Sequence, residues 1–156
     1  NIKAQDIMTK KLVTLKADQD VFDAIDTLLK NDISGAPVLD GDGNFVGVFS
    51  EKSCMSVLIT GTYHGLPSAE VASFVEKEPK VITEKTDILD IGQIFLHSPR
   101  RRLPVLRDGK LVGQVSRRDV LRAISENRRK INRPASKSSA PLYLSAVKES
   151  SDDVSI

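Results

Sequence analysis

Two stretches of this chain match each other and decide its fold: "GAPVLDGDGNFVGVFSEKSC" (Gly35–Cys54) and "RLPVLRDGKLVGQVSRRDV" (Arg102–Val120). Their Pro-Val-Leu triplets begin at Pro37 and Pro104, 67 residues apart, and the Val-Gly pairs that follow are 66 apart. The difference falls in the turn, where "DGDGN" is one residue longer than "RDGK". Because length changes are tolerated in turns, the match indicates an internal repeat.

Each half predicts the order β-α-β-β-α, which gives an α/β (α+β) fold built from two repeats. A short extended piece ("LVTL", then "VIT") precedes a helix, a hairpin with a Gly-containing turn, and a closing helix that starts at Ser50 or Ser116. Asp18 or Asp20 and Thr86 or Asp87 are candidate N-caps. Apolar residues at helical spacing predict the buried faces of the two middle helices: Val21, Ala24, Ile25, Leu28 and Leu29, then Ile88, Leu89, Ile91, Ile94 and Phe95.

The repeats are predicted to span residues 1–60 and 76–130. Residues 61–75 form a linker and the lead-in to repeat 2, and residues 131–156 form a Ser-rich tail whose composition is typical of flexible segments. The chain begins with Asn1 rather than Met, as a piece of a longer protein would.

Composition argues against several classes of protein. The chain has 156 residues, 40% of them hydrophobic, and a formal charge of +2, which does not favour nucleic acid or a membrane surface as partner. No apolar run reaches the roughly 20 residues that span a bilayer. A single cysteine is compatible with a reducing compartment, and we expect a cytoplasmic protein.

The doubled unit, with "PV", a turn Gly and the pattern G-x-x-S-x-x-D, resembles a tandem pair of CBS domains, the Bateman module, over Ile2 to Arg128. This resemblance implies a regulatory binding module and not an enzyme. It implies halves packed around a pseudo-twofold axis with two clefts between them, and a disc-like homodimer formed largely through the long helices. It also implies an adenine-containing ligand: AMP, ADP or ATP, or less often S-adenosylmethionine, NAD or a cyclic dinucleotide. No cofactor is expected.

The residues suggest how a nucleotide would be held. Asp119, in the first turn of the closing helix, offers a carboxylate to vicinal ribose hydroxyls, and Ser116 starts that helix in the family pattern. The helix N-terminus favours a phosphate, with Arg117 and Arg118 adding positive charge. By resemblance, Arg101 and Arg102, which precede a "LPV" strand, also meet phosphate.

Apolar residues beside these positions are candidates for the surface under the adenine. In the resembling family the base lies on an apolar floor and is read by backbone groups, including those of a lead-in strand that matches "AQDIM" (Ala4–Met8). The residues expected to serve here are Thr83 with Val81, Leu103, Pro104, Pro37, Ala36, Leu15 and Met8.

The first half departs from the pattern. Ser53 stands where the ribose carboxylate would be, no arginine precedes Pro37, and Glu51 would repel a phosphate. We therefore expect one competent site, at Asp119, and a weak or empty one at Ser50 and Ser53. Which half supplies the basic residues of each cleft stays open.

Simpler structural roles compete with these assignments. Ser116 and Asp119 could be no more than N-terminal helix residues, and Arg100 to Arg102 a solvated loop. Cys54, beside Val57 and Leu58, is most simply a core residue, and neither His64 nor His97 has neighbours at metal-ligand spacing. The basic "ENRRKINR" is most simply a solvated helix end, and no catalytic constellation is visible.

Three functions stay open at this level. The first is a sensor of an adenine nucleotide that modulates a partner or fused domain. The second is a ligand-free dimerisation scaffold whose tail segment "LYLSAV" docks on a partner. The third is an excised regulatory part of an enzyme or transporter.

Overall fold

The structure, a computed structural model, describes residues 1–63 and 69–131. The chain divides into a compact unit of residues 1–120, which holds both sheets, and a second unit from residue 121 onward, described as far as residue 131. His64 and the tail segment "LYLSAV" lie outside the described residues.

The predicted β-α-β-β-α order is present twice. A short helix, α1 (Ala4–Ile7), precedes the first repeat, which consists of β1 (Leu15–Lys16), α2 (Val21–Lys30), β2 (Gly35–Leu39), β3 (Phe45–Ser50) and α3 (Glu51–Tyr63). A 3-10 turn at Val71–Ser73 precedes the second, which consists of β4 (Ile82–Thr83), α4 (Ile88–His97), β5 (Arg102–Arg107), β6 (Lys110–Ser116) and α5 (Arg117–Glu126). A further turn of helix, α6 (Arg128–Ile131), follows after Asn127. The basic residues of "ENRRKINR" within it are therefore separate from α5.

Local sequence explains where the middle helices begin. Of the two candidate caps in each repeat, Asp20 and Asp87 serve: Asp20 accepts hydrogen bonds from the backbone of Phe22 and Asp23, and Asp87 accepts one from Leu89. These bonds satisfy N–H groups that lack a partner at a helix start.

The predicted buried faces are correct at most positions, although Ile88 is only partly buried and does not belong to the second core. Val21, Ala24, Leu28, Ile91 and Phe95 lie in the core, with Ile25 and Ile94 packed at its edge. Leu29 and Leu89 were expected there, but they are 75% and 76% exposed. Leu58, expected beside Val57, is 59% exposed, while Cys54 packs against the core as predicted. Helical spacing identifies an apolar stripe, but a stripe can be wider than the core it covers.

Each repeat forms its own three-stranded sheet. In both sheets a short strand runs parallel to the middle strand, with Leu15 opposite Val38 and Ile82 opposite Val105, and the hairpin partner runs antiparallel. A register shift follows the same position in each hairpin, after Val38 and after Val105. The two repeats therefore have equivalent local geometry.

The segment that precedes each repeat packs on the sheet of the other repeat. Ala4 is fully buried in the second core, and the backbone of Ala4 and Gln5 donates to Thr86 and Glu84. Residues 1–60 and 76–130 therefore mark where each repeat begins and ends in the sequence. That the same residues bound two structural domains stays a prediction.

The lead-in of the second repeat behaves in the same way. Val71 is fully buried in the first core, and the backbone of Val71 and Ala72 donates to Gln19 and Ala17. Each donor and acceptor here lies 67 residues from its counterpart in the other lead-in, so the exchange is reciprocal.

One element was wrongly predicted. The stretch Ala4–Met8, expected as a lead-in strand, forms helix α1 as far as Ile7 and becomes extended only from Met8. Thr9 then pairs with Gln114 of β6, and Glu76 pairs with Val48 of β3 at the equivalent place. A strand-like contact exists, but it is reduced to a single pair of residues.

We expect alanine at Gly113 or Gly47 to destabilise the protein, because each lead-in passes directly over one of these glycines. A Cβ at Gly113 would lie 2.6 Å from the Met8 sulfur and 3.1 Å from the Thr9 carbonyl oxygen, and one at Gly47 would collide with the Glu76 carbonyl oxygen. Crowding of this kind costs about 1–3 kcal/mol of unfolding free energy. Gly47→Ala should cost more, because it meets backbone rather than a flexible side chain.

Urea unfolding would measure both variants against Gly92→Ala in α4. A Cβ at Gly92 meets no atom within 4 Å, so that variant should gain about 0.5–1 kcal/mol from reduced backbone freedom in the unfolded chain. Equal effects at all three glycines would contradict the close approach of the lead-ins.

Candidate functional site

Ser116 and Asp119 form a reciprocal cap at the start of α5. Asp119 Oδ2 accepts hydrogen bonds from the Ser116 backbone N–H at 2.8 Å and from Ser116 Oγ at 3.0 Å, and the Asp119 N–H donates to Ser116 Oγ at 3.1 Å. This is a capping box with Asp at the third helical position. The structural role of Asp119 is therefore real, and it fixes the carboxylate in one orientation.

Thr9 contributes to the same site from the other end of the chain. Its hydroxyl donates to Asp119 Oδ1 at 3.3 Å, and its backbone pairs with Gln114. The sequence interpretation did not include Thr9, because its role depends on the exchanged lead-in. Its only sequence signal is its place next to Met8, the last residue of the matched lead-in.

An open cleft of about 270 Å³ surrounds these groups, and we refer to it as the Asp119 cleft. Asp119 lies at its wall and is only 6% exposed. Arg102 and Lys11 bring positive charge to the cleft. The remaining lining residues, which include an apolar group, are Thr9, Leu12, Val13, Ile33, Gly35, Gln114 and Ser116.

The first repeat has the same cap without the carboxylate. Ser53 Oγ accepts from the Ser50 backbone N–H at 3.0 Å, and the Ser53 N–H donates to Ser50 Oγ at 3.4 Å. Ser53 is 7% exposed. The helix start is thus preserved, while the group that would bind vicinal hydroxyls is replaced by a neutral one.

A larger open cavity, of about 570 Å³, lies beside this second cap, and we refer to it as the arginine cavity. Arg100, Arg101 and Arg102 all line it, and of these only Arg102 also lines the Asp119 cleft. Lys52, Lys80, Glu51 and Glu76 complete its charged lining. Of the four predicted phosphate-binding arginines, Arg101 therefore lies beside Ser50 and Glu51, whereas Arg102 lines both cavities.

The other two predicted arginines lie apart from both cavities. Arg117 donates through Nη2 to the carbonyl oxygens of Phe95 at 3.4 Å and Ser98 at 3.2 Å, and its guanidinium lies 5.9 Å from the centre of the Phe95 ring. These contacts stabilise the C-terminus of α4, where cations are favoured. Arg118 is exposed on the first turn of α5.

The residues expected under the adenine are divided among three places. Pro37, Pro104 and Ala36 line the arginine cavity. Leu103 and Leu15 are buried in the two cores, and Met8 packs against Gly113. Thr83 is exposed, and its N–H donates to the Thr86 hydroxyl. The structure instead brings Leu12, Val13 and Ile33 to the Asp119 cleft.

Within residues 1–63 and 69–131, no group of three or more His, Cys, Asp or Glu side chains could hold a metal ion. No helix in the described part of the chain is long and apolar enough to cross a bilayer.

Cys54, which follows Ser53 on α3, should react slowly with alkylating reagents. Burial raises the pKa of the Cys54 thiol, and the negative charge of Glu51 acts in the same direction. Because the thiolate is the reactive form, the pH profile of iodoacetamide alkylation should have its midpoint above that of the same protein unfolded in urea. Glu51→Gln should move the midpoint back toward lower pH. A folded-state midpoint at or below the unfolded one would contradict this environment.

Comparisons with known proteins agree with the fold. The family model described as "CBS domain" matches residues 4–60 and 71–126. The crystal structure of CBSX2 in complex with AMP superposes with a TM-score of 0.72 at 28% identity and covers 83% of this chain and 100% of that one. CBSX2 is a CBS-pair protein of Arabidopsis thaliana.

Two curated relatives differ in how much of them this chain spans. CBS domain-containing protein CBSX1, chloroplastic, of Arabidopsis thaliana is 30% identical over 158 residues, covering 83% of this chain and 67% of the relative. A-adding tRNA nucleotidyltransferase of Aquifex aeolicus is 27% identical over 130 residues, covering 83% of this chain but only 15% of that enzyme. The similarity to the enzyme is thus confined to a small part of it.

Proposed function

Because this chain belongs to the CBS domain family and carries two copies of the domain, we propose that it is a regulatory module that binds an adenine nucleotide in the Asp119 cleft. The ligand class is AMP, ADP or ATP. The module binds rather than catalyses, and it acts by biasing a partner protein or a fused domain. S-adenosylmethionine, NAD and cyclic dinucleotides are less favoured ligands.

The observation that carries this proposal is the orientation of the Asp119 carboxylate. Two hydrogen bonds from Ser116, donated by its backbone N–H and its hydroxyl, hold the carboxylate at the wall of an open cleft, so a ligand finds the acceptor already positioned. Its Oδ1 accepts from Thr9 at 3.3 Å, which is longer than usual for an O–H···O bond. A ribose hydroxyl can therefore replace or supplement the Thr9 contact.

The rest of the cleft offers suitable surroundings for the other parts of a nucleotide. Leu12, Val13 and Ile33 supply an apolar wall for the base, and Arg102 and Lys11 supply charge for a phosphate. The AMP complex of CBSX2, which has the same fold, supports the ligand class. A ligand regulates only through its different affinity for two states, so the regulated partner must read a conformation that the nucleotide favours.

We expect AMP to stabilise the wild-type protein and to lose affinity for Asp119→Ala. At 100 times its dissociation constant, a ligand adds about 2.7 kcal/mol to the apparent free energy of unfolding. Loss of a charge-assisted hydrogen bond should weaken AMP at least about tenfold. Calorimetric titration should also give one AMP per wild-type chain, because of the two repeats only the second has a carboxylate in its helix cap.

Ser53→Ala is the matched control for this experiment. It removes the equivalent capping side chain of the first repeat and leaves the Asp119 cleft intact, so it separates helix capping from ligand binding. AMP should bind this variant as it binds the wild type. An equal loss in both variants, or no thermal shift with any adenine nucleotide, would overturn the proposed function.

We also propose that the module is a homodimer. Met55, Leu58 and Ile59 lie at helical spacing on α3 and are 57%, 59% and 54% exposed, which leaves an apolar face on the longest described helix. The resemblance to CBS pairs assigns such helices to a contact with a second copy. A dimer without any ligand effect would favour the scaffold function instead.

Ile59→Glu should convert the dimer to a monomer, because it places a charge on this apolar face. Light scattering during size-exclusion chromatography would measure the mass. Lys30→Glu, which makes a charge change at an exposed position of α2 and leaves α3 intact, serves as the control. A wild-type protein that is monomeric at high micromolar concentration would contradict the dimer.

A further inference from the structure

We propose that residues 121–131, which we call the basic segment, bind the surface of a membrane that contains anionic lipids. The contact is peripheral, and it needs no helix that crosses the bilayer. The basic segment belongs to the compact unit that starts at residue 121, and none of its residues lines the Asp119 cleft or the arginine cavity. The inference therefore goes beyond the function proposed above and does not depend on it.

Positive charge is concentrated in the basic segment. Its eleven residues include one acidic residue, Glu126, and four basic ones, which gives a net charge of +3. Residues 1–120 contain sixteen basic and seventeen acidic residues, a net charge of −1. The small net charge of the whole chain thus averages over a local excess. Lys and Arg clustered on an amphipathic helix are typical of sites for anionic lipids.

Three of these cations are available to an outside ligand. Arg128, Arg129 and Lys130 are exposed, and they make no salt bridge within the described residues. They line an open cavity of about 460 Å³ at the junction of α5 and α6, together with Ser125, Glu126 and Asn127. The phosphate of a lipid headgroup in this cavity would meet three positive charges and one negative charge.

Asn127 forms the junction between the two helices. Its backbone N–H and its side-chain amide donate to the Ala123 carbonyl oxygen at 3.0 and 2.9 Å, at the end of α5. Its own carbonyl oxygen accepts from the backbone N–H groups of Lys130 and Ile131 at 2.9 and 3.0 Å, at the start of α6. The interruption places the three consecutive cations in a separate helical turn directly after α5.

Large apolar side chains are exposed among the cations. Leu121 and Ile124 lie three residues apart on α5 and are 60% and 43% exposed, and Ile131 in α6 is 43% exposed. A helix that exposes both basic and large apolar residues is suited to the boundary between lipid headgroups and acyl chains. Nucleic acid is less favoured, because the basic segment has no aromatic side chain on which a base could stack.

The other described helices that expose apolar residues do not carry positive charge. Phe22 and Leu29 are exposed on α2, which has a net charge of −1. Leu89 and Leu96 are exposed on α4, which also has a net charge of −1 when His97 is neutral. The apolar face of α3 belongs to a helix without net charge. An anionic surface would therefore repel α2 and α4, and it would attract the basic segment.

Co-sedimentation of the protein with lipid vesicles tests the proposal. The wild type should bind vesicles made of equal parts phosphatidylcholine and phosphatidylserine, and it should not bind vesicles of phosphatidylcholine alone. Binding should weaken as salt is raised, because screening reduces the attraction between the cations and the surface. Absence of binding to the phosphatidylserine vesicles at low ionic strength would overturn the proposal.

Lys130→Ala should weaken vesicle binding about fivefold, the effect expected for one cation close to an anionic surface. Lys30→Ala is the matched control and should have little effect, because Lys30 is also an exposed lysine in the last turn of a helix, but on α2. Arg128→Ala combined with Arg129→Ala should weaken binding further than Lys130→Ala does. Equal losses in Lys130→Ala and Lys30→Ala would contradict a site in the basic segment.

Leu121→Ser tests the apolar part of the contact. It should weaken vesicle binding severalfold, because it removes an exposed side chain that would enter the acyl region. Leu29→Ser changes another exposed leucine, on α2, and should bind as the wild type does. If Leu121→Ser binds vesicles as well as the wild type, the helix does not enter the boundary region and the proposal is wrong.

Two measurements distinguish a membrane from other partners of this surface. Light scattering should give Lys130→Ala and Leu121→Ser the same mass as the wild type, whereas a changed mass would show that a second copy covers the surface. Oligouridylate binding that Lys130→Ala abolishes, with vesicle binding unchanged in that variant, would assign the surface to nucleic acid. Either of these results would overturn the proposal.

The inference and the proposed nucleotide function can fail separately. Lys130→Ala should bind AMP as the wild type does, because Lys130 lies outside the Asp119 cleft. A protein that binds vesicles but not AMP would lose only the nucleotide function, and one that binds AMP but not vesicles would lose only the membrane contact. A thermal melt of each variant checks that it folds, and Lys130→Gln provides a second variant with the same expected loss.

Discussion

The reciprocal exchange of lead-in segments is the constraint on which the rest of the unit of residues 1–120 depends. Ala4 and Val71 are each fully buried in the core of the other repeat, and matched backbone hydrogen bonds hold both segments in place. Neither sheet keeps its core covered without a segment from elsewhere in the chain. Each segment then crosses β3 or β6 at a glycine, because a Cβ at Gly47 would collide with the Glu76 backbone and one at Gly113 would crowd Met8 and the Thr9 carbonyl oxygen. The crossings bring Thr9 and Glu76 to the mouths of the two cavities.

The same constraint explains how two equivalent folds hold two different sites. A helix cap and a lead-in segment lie beside each cavity, and of the matched pairs Asp119 with Thr9 and Ser53 with Glu76, each contains one acid. In the Asp119 cleft the acid caps the helix and the lead-in offers a hydroxyl. In the arginine cavity the hydroxyl caps the helix and the lead-in offers Glu76, which pairs with Arg100. A carboxylate held by a backbone N–H and a hydroxyl can still accept a further hydroxyl donor, whereas one paired with arginine has much of its charge neutralised.

Local features of the structure could be predicted from the sequence, and long-range ones could not. Asp20 and Asp87 were recognised as candidate caps because capping depends on neighbouring residues alone. The repeated hairpins followed from their turn glycines. The exposure of Leu29 and Leu89 did not, because spacing shows that a face is apolar but not how much of it the core covers. Arg117 was assigned to phosphate because of its helix position, yet its guanidinium reaches the end of α4, a contact 19 residues away in sequence.

Arg102 limits how independently the two cavities can act. Its side chain lines both, and Nη1 is held by the Gly35 carbonyl oxygen, which belongs to a residue that also lines both. An anion in either cavity neutralises part of the same charge, so it lowers the positive potential available to the other. Linkage requires the effect on binding free energy to be reciprocal. Because a single guanidinium lies between two cavities of one folded unit, we expect an anion bound in one cavity to weaken the binding of an anion in the other.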